Sequence, residues 1–139
     1  HRDHAAMLVF ATGHLQGEEG ERTVALDWAA LARPRQTVVI YMGVGTLPTI
    51  CTQLIAHGLP ASTPAAMIER ATLPGQRSIV GTLQTLPQLS VAYGVNPPAL
   101  VMIGDTVALH ARIGSSAEVL TGFPAVVDAA SPQALACTA

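Results

Sequence analysis

Apolar and polar positions fall along the chain in short blocks that predict strands and helices in alternation. Met7 to Thr12 is an apolar run closed by Gly13, the pattern of a buried strand that ends in a turn. Gln16 to Glu21 is charged and contains glycine, a solvated loop by composition. Asp27 stands before Trp28-Ala29-Ala30-Leu31-Ala32 as the N-cap of a short helix, which Pro34 stops. Thr37 to Met42 is rich in β-branched residues and apolar on both alternating faces, which predicts a strand covered on both sides of its sheet. Gly43-Val44-Gly45 turns the chain into a second helix, with Thr46 as its N-cap and Pro48 in the first turn, where a missing N–H does no harm. Ile50, Leu54 and Ile55 mark the buried face of that helix, and Gly58-Leu59-Pro60 ends it.

The second half repeats the alternation. Pro64 to Ala71 reads as a strand, Leu73-Pro74-Gly75 as a turn, and Arg77 to Val80 as the returning partner strand. Leu83, Leu86, Leu89 and Tyr93 recur at helical spacing before Gly94 and Pro97-Pro98, and Ala99 to Ile103 gives a last buried strand. Thr106 to Ile113 is expected to form a short terminal helix. From Gly114 to Ala139 small residues dominate without periodicity, so this segment is expected to be a flexible tail. The expected fold is α/β, one domain over residues 1–113 with a mixed, partly parallel sheet flanked by helices.

Composition narrows the partners. Seven basic against nine acidic residues in 139 give a net charge of -2, neither the basic footprint of a nucleic-acid binder nor a polybasic membrane patch. The apolar runs are shorter than a membrane span, so the domain is expected to be soluble. Cys51 falls in a helix and Cys137 in the tail, with no C-x-x-C pair and no histidine at ligand spacing, so neither a disulfide framework nor a zinc site is expected and a reducing cytoplasm fits. The five histidines form no metal cluster, and His57 and His110 sit near helix ends. The opening His1-Arg2-Asp3-His4, without an initiator methionine, reads as a start in mid-protein.

Three places carry candidate chemistry. Tyr41-Met42-Gly43-Val44-Gly45 joins a strand to a helix, as dinucleotide fingerprints do, but Pro48 stands at the third glycine position of G-x-G-x-x-G and no acidic residue follows at ribose distance. It is either an ordinary tight turn or a ligand edge at the C-terminal end of the sheet. Thr12-Gly13-His14 also lies where a strand meets a loop, and His14 offers a proton or a charge near neutral pH unless it is a plain solvated residue. Glu69-Arg70-Ala71-Thr72 reads as a sheet edge with exposed charges, or as a strand end where the small Ala71 leaves room for a flat ligand. Apart from these, the chain holds no Ser-His-Asp arrangement, P-loop or metal signature.

His1-Arg2-Asp3, Thr12-Gly13-His14, Leu26-Asp27-Trp28, Thr37 to Gly43, Leu54 to Gly58, Ile68 to Thr72, Gln76-Arg77 and Gly81-Thr82-Leu83, in this order and spacing, resemble the second domain of uroporphyrinogen-III C-methyltransferases, of the tetrapyrrole methylase family. The resemblance covers His1 to about His110. It implies the C-terminal domain of a cytoplasmic, homodimeric enzyme that binds S-adenosylmethionine between two domains and releases S-adenosylhomocysteine. That enzyme type methylates uroporphyrinogen III twice to precorrin-2, on the route to sirohaem and cobalamin. By the same resemblance the N-terminal domain, absent from this chain, carries the reacting groups, so the isolated fragment is expected to be inactive. Met42 and Ala71 match the family's cofactor contacts, with Tyr41, Gly43, Thr72 and Ile103 as cofactor-cleft neighbours, while Thr12, Gly13 and His14 match the turn facing the tetrapyrrole. Two alternatives remain at this point: a sister methylase of the same fold acting on another substrate, or a non-catalytic dimerisation or ligand-binding domain.

Overall fold

A computed structural model describes residues 3–15, 23–113 and 118–122. The first strand, β1 (Met7–Thr12), and the helix α1 (Trp28–Leu31) span the expected residues, but β1 is mostly exposed instead of buried, because it lies at the edge of the sheet and one of its faces is left open. Asp27 caps α1, its Oδ1 accepting the Ala30 N–H at 2.9 Å. The β-branched run forms β2 (Gln36–Tyr41), buried along its length up to Tyr41. The helix α2 (Leu47–Ala56) follows, and its apolar face places Leu47, Ile50, Cys51 and Leu54 in the core. His57 closes α2, with Nδ1 2.7 Å from the Gln53 carbonyl oxygen. The hairpin β3 (Pro64–Glu69) and β4 (Arg77–Thr82), the helix α3 (Leu86–Ala92) and β5 (Ala99–Ile103) complete the expected elements.

The six strands form one sheet in the order β1-β2-β5-β3-β4-β6. β1 runs parallel to β2, whereas β2–β5, β5–β3 and β3–β4 are antiparallel, so the sheet is mixed and partly parallel. One register row crosses it as Ala11, Ile40, Val101, Met67 and Ile79, and these side chains share one face. α1, α2 and α3 cover that face and join the row in a single core. Cys51 lies within it, and burial pushes its thiol up to about 12.

The opposite face is only partly covered. Val107, His110 and Ile113 line a shallow hollow together with Ala66, Ile68, Val80 and Met102, whereas Leu8 and Phe10 on the β1 side are 58% and 62% exposed.

Three further expectations change. The terminal helix over Thr106 to Ile113 is a 3-10 turn (Asp105–Leu109) running into α4 (His110–Ile113), with Thr37 and Thr106 sharing a hydrogen bond of 2.8 Å. The strand expected to reach Ala71 stops at Glu69, because Arg70 turns to φ 51° and gives its N–H to the Pro98 carbonyl. Within the expected tail, Glu118–Thr121 forms β6, which pairs in parallel with β4 and packs Leu120 against the core. A strand of four residues with one core-facing side chain has no periodicity to announce it. The rest of the expected tail and the Gln16–Glu21 loop lie outside the described residues.

Candidate functional site

Two turns meet at the C-terminal ends of the parallel strands β1 and β2, because Thr12 and Tyr41 are register partners. The Gly13 N–H donates to the Tyr41 carbonyl at 2.7 Å, and the Thr46 hydroxyl donates to the Gly13 carbonyl at 2.8 Å. Thr46 therefore precedes α2 without capping it; its side chain makes no cap bond and ties the two turns together instead. A Cβ on Gly13 would sit 3.0 Å from the Gly43 Cα and 3.1 Å from Ile40 and Ile50 methyl groups, so the backbones approach so closely that even one methyl group would have to displace its neighbours. This contact brings Thr12, Gly13 and His14 beside Tyr41, Met42 and Gly43. Thr12, His14, Tyr41 and Met42 are exposed there, and both glycines are buried.

Next to this junction, on the open face of the sheet, lies a depression of 210 Å³ lined by Tyr41, Ile68, Arg70, Ala71, Leu73, Pro98, Ala99 and Leu100. Its floor is a register row, Tyr41–Leu100–Ile68, and its rim is the turn that carries Ala71. Among the described residues only Arg35, Met42, Arg70 and Thr72 have positive φ without being glycine, and three of these four border the depression or the adjoining turn. Positive φ at the β-branched Thr72 (67°) is a strained conformation of the kind that collects at ligand sites. Its N–H is held by the Gln76 side-chain oxygen at 2.6 Å.

Ile103 is not brought to this cluster. It is register-paired with Val38 rather than Tyr41, faces the helices, and is 1% exposed. It stands three residue steps beyond Leu100, about 10 Å along a strand. It lines a 240 Å³ hollow at the other end of the sheet with Gln36, Gly104 and Asp105.

Behind the depression lies a network that the sequence pattern did not reveal. β3 is a central strand, so Glu69 is not an exposed edge charge; it is 6% exposed and points to the helix side. Arg77 donates to it through Nε at 2.7 Å and lies at 2.5 Å through Nη2, the Asn96 N–H donates at 3.0 Å, and Arg77 Nη1 reaches the Tyr93 carbonyl at 3.2 Å. Burial alone would raise the Glu69 pKa, but the Asn96 N–H, the Arg77 hydrogen bond and the charges of Arg77 and Arg70 hold it below the ordinary carboxylate value. The available sequence signal was the hairpin itself, since a turn between the two strands makes Glu69 and Arg77 register partners. Among the described residues no three His, Cys, Asp or Glu side chains gather as a metal site, and no helix is long and apolar enough to cross a membrane.

The chain is thus an α/β domain with a mixed sheet, paired turns at the ends of its parallel strands β1 and β2, and a small, mostly apolar hollow beside them. The chain belongs to the tetrapyrrole (corrin/porphyrin) methylase family, whose model matches residues 2–87. It is 50% identical over 113 residues to siroheme synthase from Nitrosomonas europaea, an alignment covering 81% of this chain and 23% of that protein. A crystal structure of uroporphyrin-III C-methyltransferase from Thermus thermophilus, complexed with S-adenosylhomocysteine, superposes with a TM-score of 0.65 at 30% identity, covering 78% of this chain and 44% of that one. A cobalt precorrin-4 methyltransferase shares the fold at 18% identity and a TM-score of 0.61, over 73% of this chain and 41% of that one. The chain thus spans about a quarter of the length of the curated relatives it matches.

Proposed function

We propose that this chain forms one wall of the active-site cleft of an S-adenosylmethionine-dependent uroporphyrinogen-III C-methyltransferase, which adds two methyl groups to give precorrin-2. The observation that carries the reading is the meeting of the Thr12–His14 turn, the Tyr41–Gly43 turn and the Ala71 depression at one end of the sheet. Support comes from the 30% identity to a methyltransferase solved with S-adenosylhomocysteine. Ligands of open α/β sheets bind at the carboxyl ends of strands, where these three features lie.

The residues present fit part of the cofactor. The lining is apolar except for Arg70, with Tyr41, Ala71 and Leu100 able to take a flat ring, and it holds no carboxylate to meet the methionyl ammonium. Its 210 Å³ is below the ~300–1,000 Å³ of a complete small-molecule site. The depression therefore holds the adenosine end, and the methionyl end and the proton-moving groups belong to a domain outside this chain. The exposed Met42 follows the lining residue Tyr41, and its polarizable sulfur is available to pack on the ring edge. Thr12 and His14, one turn away, face the tetrapyrrole. Methyl transfer from sulfonium to carbon needs orientation, exclusion of water and loss of a proton from the acceptor carbon, and this wall supplies the first two. A cytoplasmic homodimer is the assembly this reading implies.

Ala71→Leu tests it. Leucine fills the rim, so affinity for S-adenosylhomocysteine should fall about tenfold or more while the melting temperature barely moves, because Ala71 borders the depression rather than the core. Unchanged affinity per folded molecule, with a melting temperature lowered by overpacking, would remove Ala71 from the site.

A further inference from the structure

The Glu69 network is more elaborate than one surface ion pair requires. The carboxylate is 6% exposed and gathers three segments: β4 through Arg77, the chain after α3 through the Asn96 N–H, and, through Arg77, the Tyr93 carbonyl at the end of α3. Two of the chain stretches it holds run directly into the walls of the depression. Glu69 immediately precedes Arg70 and Ala71 on the rim, and Asn96 leads through Pro97 into Pro98, Ala99 and Leu100 on the opposite wall. Across the gap the Arg70 N–H donates to the Pro98 carbonyl at 2.9 Å, and the Leu73 N–H closes the turn on the Arg70 carbonyl at 2.9 Å. Arg70 and Thr72 hold left-handed backbone on either side of Ala71, a conformation that non-glycine residues keep only where the surroundings impose it.

We infer that Glu69 is a positioning residue for the cofactor cleft: from the helix side of the sheet, its carboxylate fixes the separation of the two walls and the strained turn that presents Ala71. The inference rests on the reading of the depression as the adenosine site, and Glu69 itself touches no ligand. Its charge is required because one carboxylate must satisfy both the Arg77 guanidinium and the Asn96 N–H inside a largely buried pocket. Glutamine in its place keeps the shape and the acceptor oxygen but leaves the guanidinium without its counter-charge. The turn then relaxes toward ordinary backbone and the walls lose their register.

The test compares the parent chain with Glu69→Gln and Ala71→Leu. Hydrogen exchange of the backbone amides reads the geometry without any ligand. Glu69→Gln should accelerate exchange at Arg70, Leu73 and Asn96 about tenfold or more, with α2 and the β1–β2 ladder unchanged. Titration with S-adenosylhomocysteine should show affinity lowered about tenfold or more in Glu69→Gln. Arg77→Lys, which keeps the charge but loses the fork, should fall between parent and Glu69→Gln. Exchange accelerated evenly across the whole sheet would mean that Glu69 only stabilises the fold and would overturn the inference, as would unchanged exchange at Arg70 and Leu73. Ala71→Leu separates the two claims: if it weakens binding and Glu69→Gln does not, the site stands and the positioning role falls. If Ala71→Leu leaves binding intact, the adenosine reading fails first.

Discussion

Gly13→Ala probes the joint between the two turns with a single methyl group. The added Cβ would stand 3.0 Å from the Gly43 Cα, and 3.1 Å from the Ile40 Cγ2 and Ile50 Cδ1 atoms. The two isoleucine methyls sit at the ends of flexible side chains and can retreat by a few tenths of an ångström. The Gly43 Cα belongs to the backbone and moves only if the whole Tyr41–Gly45 turn moves. That displacement also stretches the Gly13 N–H bond to Tyr41 and the Thr46 hydroxyl bond to Gly13, at 2.7 and 2.8 Å. Overpacking of this kind costs about 1–3 kcal/mol. For a domain of this size that lowers the melting temperature by roughly 3–15 °C. Gly43→Ala is the internal control: the three atoms nearest its Cβ would all be side-chain methyls, at 3.1, 3.3 and 3.4 Å, so its loss should be clearly smaller. Both are read by thermal unfolding followed by circular dichroism. A Gly13→Ala protein as stable as the parent, or less affected than Gly43→Ala, would refute the close approach of the turns.

Acid titration should expose Glu69. Its folded pKa is lowered, so the stability it contributes is complete above the ordinary carboxylate pKa of about 4.3 and is lost as pH falls through the folded value. Denaturant melts should therefore show the parent losing its advantage over Glu69→Gln below about pH 4 and keeping it constant from pH 5 to 8; a constant difference down to pH 3 would contradict the network. Cys51, 2% exposed with its thiol pushed up to about 12, should resist alkylation at pH 8 in the folded chain and react once denaturant is added, as peptide mass mapping would show.

Much of this was legible along the chain because hydrophobic period and punctuation agree. The run from Thr37 to Tyr41 has no face that tolerates water, and it becomes the doubly covered β2. Ala99–Ile103, between Pro97-Pro98 and Gly104, needed no tertiary information to be marked as a strand. The junction of Thr12–His14 with Tyr41–Gly43 carried a weaker signal, glycines after strands, and only the parallel pairing of β1 and β2 brings them together. What escaped depended on strand order. Glu69 reads as an edge charge until β3 is known to lie between β5 and β4. Ile103 reads as a cleft neighbour until the antiparallel register sends it to the far end of the sheet. Thr46 has the residue type and position of a cap, and a tertiary partner took its hydroxyl instead. β6 has too few residues for any period; it is held by its pairing with β4 and by one core-facing side chain, Leu120.

The central claim, that the depression beside Tyr41 and Ala71 receives the adenosine of S-adenosylmethionine, is tested most directly by titrating the isotopically labelled chain with S-adenosylhomocysteine to millimolar concentration and following backbone amide resonances. The shifts should concentrate at Tyr41, Met42, Gly43, Ala71, Thr72, Ala99 and Leu100 and be absent from Gln36, Ile103 and Gly104 at the opposite end of the sheet. A spectrum unchanged around Tyr41 and Ala71, or one whose changes gather at the Gln36–Gly104 end, would contradict it.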